Sequence, residues 1–244
     1  MKGISALLRA NAGRSIKAES APDTVYLYDV IVDDDYWGGV SANTLIAQIQ
    51  AVRGETLHLR INSPGGDVFA ARCVEQALRE CKARVVVHID GLAASAASFL
   101  AMTGDETVIS PGGMLMIHRA WTAAYGNADD LMDMAAIMEK VDGTIAQTYA
   151  AKTGKDVGEL MGLMAAETWL TAQEALEMGF VDSIAGSDPD RKTGSAENAA
   201  HWDLSAYEHA PLMAALARPR PRADNIRQRY ERTAHYFDIT TWRH

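Results

Sequence analysis

Asp90-Gly91-Leu92-Ala93-Ala94-Ser95-Ala96-Ala97-Ser98-Phe99-Leu100-Ala101-Met102 decides how the rest of the chain is read. The β-branched run Arg84-Val85-Val86-Val87-His88-Ile89 leads into it and suits a buried strand. Gly91 permits a sharp turn, and helix-like sequence follows through Phe99, Leu100 and Met102. Ser95 is thus expected at a strand-to-helix turn walled by alanines, where its hydroxyl can face a substrate backbone. Free N–H groups and the helix dipole favour negative charge there. The plainer alternative is a serine that only caps the helix.

Strands and helices alternate on both sides of this stretch. Val25 to Val32 reads as a first strand, Thr56 to Ile61 as a second, and Ser41 caps a helix with Leu45, Ile46, Ile49 and Val52 on its apolar face. Asn62-Ser63-Pro64-Gly65-Gly66-Asp67 joins the second strand to a helix through Val68, Cys73, Val74 and Leu78. Its two glycines let the backbone approach a ligand and turn N–H groups outward. Met114-Leu115-Met116-Ile117 is a short strand ending in His118. Asn127 to Lys152 is the longest helical pattern, with a stripe of Leu131, Met134, Met138, Val141, Ile145 and Tyr149. That stripe packs on the chain's own sheet or on another subunit. Glu167 precedes Thr168-Trp169-Leu170, a helix with Glu174 in capping-box position follows, and Phe180 to Ile184 closes the pattern. The alternation predicts an α/β fold with largely parallel strands.

The 244 residues, 48% hydrophobic and 23% charged, suffice for one sizeable core, and a formal net charge of -9 argues against a general nucleic-acid binder. No apolar run approaches the roughly 20 residues of a membrane span, and Met1 to Ala21 lacks the apolar core of a signal peptide. Cys73 and Cys81 have no metal-type spacing and read as free thiols of a reducing compartment, so a cytoplasmic protein is expected. Asp33, Asp34 and Asp35 read as a solvated acidic loop rather than a metal site, and no cofactor is called for.

Gly65-Gly66, Ser95 and His118 all fall at strand ends or turns. Acyl transfer needs a nucleophile, a base, an orienting acid and donors for the oxyanion. Ser95 can supply the first, His118 the second, and the N–H groups of Gly66 and Ala96 the last.

Ile61-Asn62-Ser63-Pro64-Gly65-Gly66, Gly91-Leu92-Ala93-Ala94-Ser95-Ala96-Ala97 and Met116-Ile117-His118 resemble the three signature blocks of the caseinolytic (Clp) serine peptidases. Leu170 to Asp182 is similar to that family's last helix and strand, so the likeness covers roughly Val25 to Ile184. It implies a Clp/crotonase-type spiral α/β fold of repeated strand-strand-helix units with a long protruding helix. It also implies a Ser-His-acid triad, and stacked rings with the sites facing inward. The family's serine falls on Ser95 and its histidine on His118. Its triad aspartate falls on Glu167, a departure in side-chain length, and Asp182 is the competing acid. The division expected is an N-terminal arm over 1–24, a peptidase domain over 25–185, and a linker with a basic, aromatic tail over 186–244. The tail and the arm look more like the Clp-related proteases of phage head-assembly modules. That likeness implies a serine endopeptidase that processes a scaffold or capsid protein in the host cytoplasm or inside a procapsid, with its ATPase partner dispensable. The alternatives are a degradative proteolytic subunit fed by an ATPase, a crotonase-like acyl-CoA enzyme on the same fold, and a catalytically silent ring.

Overall fold

The computed structural model describes residues 4–11, 21–186 and 202–211. The linker over 187–201 and the arginine-rich tail after 211 lie outside the described residues. In chain order the elements are α1 (Ile4–Asn11), β1 (Thr24–Leu27), β2 (Ile31–Val32), a 3-10 turn (Asp35–Trp37), β3 (Val40–Ser41), α2 (Ala42–Ala51), β4 (Thr56–Ser63), α3 (Val68–Glu80), β5 (Arg84–Ala94), α4 (Ala96–Ala101), β6 (Glu106–Ile109), β7 (Met114–Ile117), α5 (Ala128–Thr153), α6 (Val157–Ala165), β8 (Thr168–Thr171), α7 (Ala172–Glu177) and β9 (Ser183–Ile184).

The central strand is β5, and the sheet forks along it. Its first half, Val86 to Ile89, pairs with β6, and its second half, Leu92 to Ala94, pairs with β7. On its other edge β5 pairs with β4, and β4 with β1. These pairings are parallel; β8 alone joins antiparallel, on β7. This is the expected α/β architecture, with helices between parallel strands.

The alternation of side chains along β5 feeds two cores. Val85, Val87, Ile89 and Ala93 face the main core with α2, α3, α4 and the buried half of α5. Leu92 and Ala94 face a second cluster with Val30, Val32 and Met116, roofed by Leu7, Trp202, Leu204 and Tyr207.

Two expectations about strands are corrected, and the arm and the tail gain structure. The strand into the serine does not stop at Ile89: Gly91 lies inside β5, and the turn falls at Ser95 itself. The run Val25 to Val32 breaks after Leu27, because Asp29 takes the Val30 N–H at 2.7 Å with its side chain and the Ser63 hydroxyl at 2.6 Å with its carbonyl. The arm over 1–24 holds a helix, α1, whose Leu7 is buried. Residues 202–211, assigned to the tail, pack on the peptidase domain, because Trp202, Leu204 and Tyr207 bury their side chains there. The acidic loop has a structural account: Asp34 caps the 3-10 turn, and Asp35 accepts from the hydroxyls of Ser41 and Thr44. Cys73 and Cys81 are free, Cys73 exposed. No helix among the described residues is long and apolar enough to cross a membrane.

Candidate active site

Ser95 joins β5 to α4 at φ 53°, ψ -124°. Its side chain caps no helix N–H, which removes the plainer alternative. Its own N–H bonds to the Met116 carbonyl at 2.9 Å, across the fork to β7. Ser98, one turn on, is fully buried and donates to the Ser95 carbonyl at 2.6 Å. The Tyr149 hydroxyl of α5 completes that chain, 2.7 Å from Ser98 Oγ. Burial raises the Tyr149 pKa, so it stays a neutral donor. The turn is thus held from below by Ser98 and Tyr149. Among the described residues, two other than glycine have a positive φ, Ser95 and Glu167 at 49°. Both are at this site, where strained backbone tends to collect.

His118 follows the last residue of β7, and its Nε2 stands 2.7 Å from Ser95 Oγ. Burial holds the ring's pKa well down, to about 4, with the Glu167 charge opposing the shift. The ring is therefore neutral at pH 7. A neutral imidazole with its proton on Nδ1 accepts at Nε2. Asp142 of α5 fixes the chain just beyond, taking the Ala120 N–H at 2.8 Å.

The glycine loop closes the third side. Gly65 has φ 89°, and a Cβ there would lie 2.5 Å from the Ala94 carbonyl oxygen and 2.8 Å from Ser95 Cβ. Only glycine lets this loop rest on the serine turn. Gly66 bridges Ile31 of β2 in parallel fashion, through the Gly65 carbonyl and the Asp67 N–H. That pattern leaves the Gly66 N–H on the other side of the strand. Ala96 opens α4, where the first N–H groups have no partner within the helix.

The expected acid is close, but its hydrogen bond to the histidine is not made. Cross-strand register pairs Ile117 with Thr168, so the next position sets His118 opposite Glu167. The N–H groups of Arg119 and Glu167 share the Met164 carbonyl, each at 3.2 Å. The Glu167 carboxylate, however, accepts from the N–H of Glu208 at 2.9 Å, the N–H of His209 at 2.6 Å and the Trp169 indole at 3.2 Å. Burial raises its pKa, but these three donors, with His118, bring it below the usual carboxylate value. Among the described residues no carboxylate is hydrogen bonded to the His118 ring. Asp182, the competitor, is engaged elsewhere: it takes the Thr107 N–H at 2.7 Å and Lys152 Nζ at 2.6 Å.

The site also contains a residue that sequence reasoning missed. Tyr207 lies edge-on to His118, ring centroids 5.3 Å apart, and edge-on to Trp169 at 5.8 Å. Its hydroxyl donates to the Pro64 carbonyl. The signal was the spacing of Trp202, Leu204 and Tyr207, apolar residues in an otherwise polar segment. Among the described residues no cluster of His, Cys, Asp and Glu has the geometry of a metal site.

Residues 24–188 match the Clp protease family. An ATP-dependent Clp protease proteolytic subunit 2 of Rhodococcus jostii is 31% identical over 186 residues, 74% of this chain and 93% of the relative. One of the same name from Nocardia farcinica is 32% identical over 188 residues, 74% of this chain and 89% of the relative. An ATP-dependent Clp protease proteolytic subunit of Chlorella vulgaris is 29% identical over 150 residues, 59% of this chain and 75% of the relative.

Proposed function

This chain belongs to the Clp protease family and is a serine endopeptidase of that kind, and from that premise we propose that it is a proteolytic subunit that cuts protein chains through Ser95 and His118. The observation that carries this reading is the 2.7 Å contact between Ser95 Oγ and a neutral, buried His118, with the serine in a strained turn. The Ser95 oxygen attacks the scissile carbonyl carbon while its proton passes to His118 Nε2. The oxyanion faces the N–H groups of Gly66 and Ala96. The C–N bond then breaks, the leaving amine takes the proton from His118, and the acyl group remains on Ser95. Water repeats the sequence in the second half, with His118 again as base, and releases the new carboxylate. Glu167 is the orienting acid of this scheme, and its hydrogen bond to His118 is made in the working state.

The names of the relatives favour a subunit fed by an ATPase unfoldase over one that trims a phage scaffold or capsid protein. The scaffold reading draws on the arm and the tail alone. A crotonase-like acyl-CoA reaction needs the oxyanion donors but not the serine-histidine contact. The silent ring is separated from the peptidase by experiment. A fluorophosphonate probe, followed by mass spectrometry of the peptides, is expected to mark Ser95 in the full chain. It should mark nothing in Ser95→Ala and react far more slowly with His118→Ala. A label on Ser98 in place of Ser95, or full peptidase activity in Ser95→Ala, overturns the assignment.

A further inference from the structure

Residues 202–211 lie across the candidate site as a strap, anchored at one end and at its middle. At the far end Asp203 N–H donates to Asn11 Oδ1 at 2.9 Å, and Asn11 Nδ2 returns a bond to the Asp203 carbonyl at 3.2 Å. The Trp202 indole donates to Asn62 Oδ1 at 2.9 Å, beside the glycine loop. Trp202, Leu204 and Tyr207 bury their side chains on Leu92, Ala94 and Met116, the face of β5 and β7 that leads to Ser95 and His118.

Two of the strap's contacts compete with catalysis. The Tyr207 side chain lies beside the reacting pair, its ring against His118 and its hydroxyl on the Pro64 carbonyl next to the glycine loop, and Ser95 is left half-buried. A substrate carbonyl needs the space beside that pair to reach Ser95 Oγ and the Gly66 N–H together. The second contact involves the acid. Glu167 sits opposite His118 by register, yet two of its three hydrogen bonds come from the strap's own backbone, at Glu208 and His209. These two backbone donors hold the carboxylate in its present orientation, turned to the strap and not to the imidazole.

We propose that residues 202–211 keep this peptidase latent: seated, the strap crowds the half-buried Ser95 from the His118 side and holds Glu167 away from His118, and its release opens the groove and frees the acid to complete the triad. The proposal rests on the peptidase reading and adds its regulation. One movement switches both parts, because the tyrosine on the histidine and the amides on the glutamate are one or two residues apart. After release, Glu167 keeps the Trp169 indole as donor and gains the His118 Nδ1–H. Glu167 is then a positioning residue, acting on substrate through His118.

The test uses full-length chains and two readouts: the rate of fluorophosphonate labelling at Ser95, and hydrogen exchange at the Glu208 and His209 amides. Tyr207→Ala removes the side chain beside the reacting pair, and Asn11→Ala loosens the far anchor without touching the catalytic residues. Labelling is expected at least tenfold faster in Tyr207→Ala and several-fold faster in Asn11→Ala, with both amides exchanging faster in each. Wild-type labelling rates in both variants overturn the latency and leave the peptidase standing. No labelling in any chain, with faster exchange in Tyr207→Ala, overturns the peptidase reading and the latency with it.

Discussion

Ser95 and Ser98 lie one turn apart in a run of small residues, and their surroundings divide the work between them. Ser95 touches the histidine; Ser98 ties the Ser95 carbonyl to Tyr149. Ser98→Ala would leave the fully buried Tyr149 hydroxyl without its partner, at a cost of about 1–3 kcal/mol. Thermal unfolding should show that loss in a chain that still labels at Ser95. The buried His118 ring carries a pH dependence with a definite sign. Its pKa of about 4 lies below the 6.5 of an exposed imidazole, so the folded chain binds fewer protons between those values. Stability from the neutral ring is fully present above pH 6.5 and is lost as pH falls toward about 4, a loss of roughly 3 kcal/mol at about 1.4 per unit. The groups facing the ring are Ser95, Tyr207 and Glu167, and only Glu167 favours its charged form. Melting curves from pH 8 to 4 should show the fall, and His118→Gln should flatten it. A wild-type curve that is flat below pH 6.5 refutes the burial account. Ser95, His118 and the two glycines were legible because each sits at a strand end marked by composition. The partner of Glu167 was not, since it depends on backbone amides 41 and 42 positions away.

Elements were legible where a pattern is local and misread where a contact from elsewhere decides. Alternation and capping residues fixed the helices closely: α5 begins after Asn127 with a full capping box, and α7 after Thr171 with Glu174 in place. The extent of β5 was underestimated because Gly91 reads as a turn, whereas here it lies beside Asn62, where an added Cβ would sit 3.0 Å from the amide oxygen. The same turn-and-strand logic gives a test for the acid. Glu167 stands between α6 and β8, so its backbone is held at both sides and a change of side chain need not move it. Glu167→Gln keeps the shape and removes the charge. Peptide turnover in a Tyr207→Ala background should fall by at least tenfold with KM little changed, and Glu167→Asp should retain part of the rate. Turnover in Glu167→Gln equal to its parent would leave His118 working without this acid.

At the scale of the whole molecule, the two halves of α5 differ in burial. Ile145, Ala146 and Tyr149 in its second half are buried in the chain's own core. In its first half Leu131, Met132 and Ile137 are 46%, 62% and 49% exposed, while Met134 and Met138 are half-buried. Isolated apolar residues on a surface need no explanation, but five within two turns of a well-capped helix form a patch that favours a protein contact. A second copy of this chain is the simplest occupant, since the stripe continues the apolar face that already packs internally. Contacts repeated head to tail close into rings, and a further contact through the protruding halves would stack rings in pairs. Native mass spectrometry at micromolar protein should therefore give a defined multiple of the 26.4 kDa chain. Leu131→Asp combined with Ile137→Asp places charge on the patch without entering the core, so the chain should fold but the assembly should fall to a smaller species. The Ser95 labelling rate separates assembly from folding in that variant: it persists if the subunit is intact. A wild-type monomer overturns the ring, and an unchanged assembly in the double variant moves the contact away from α5.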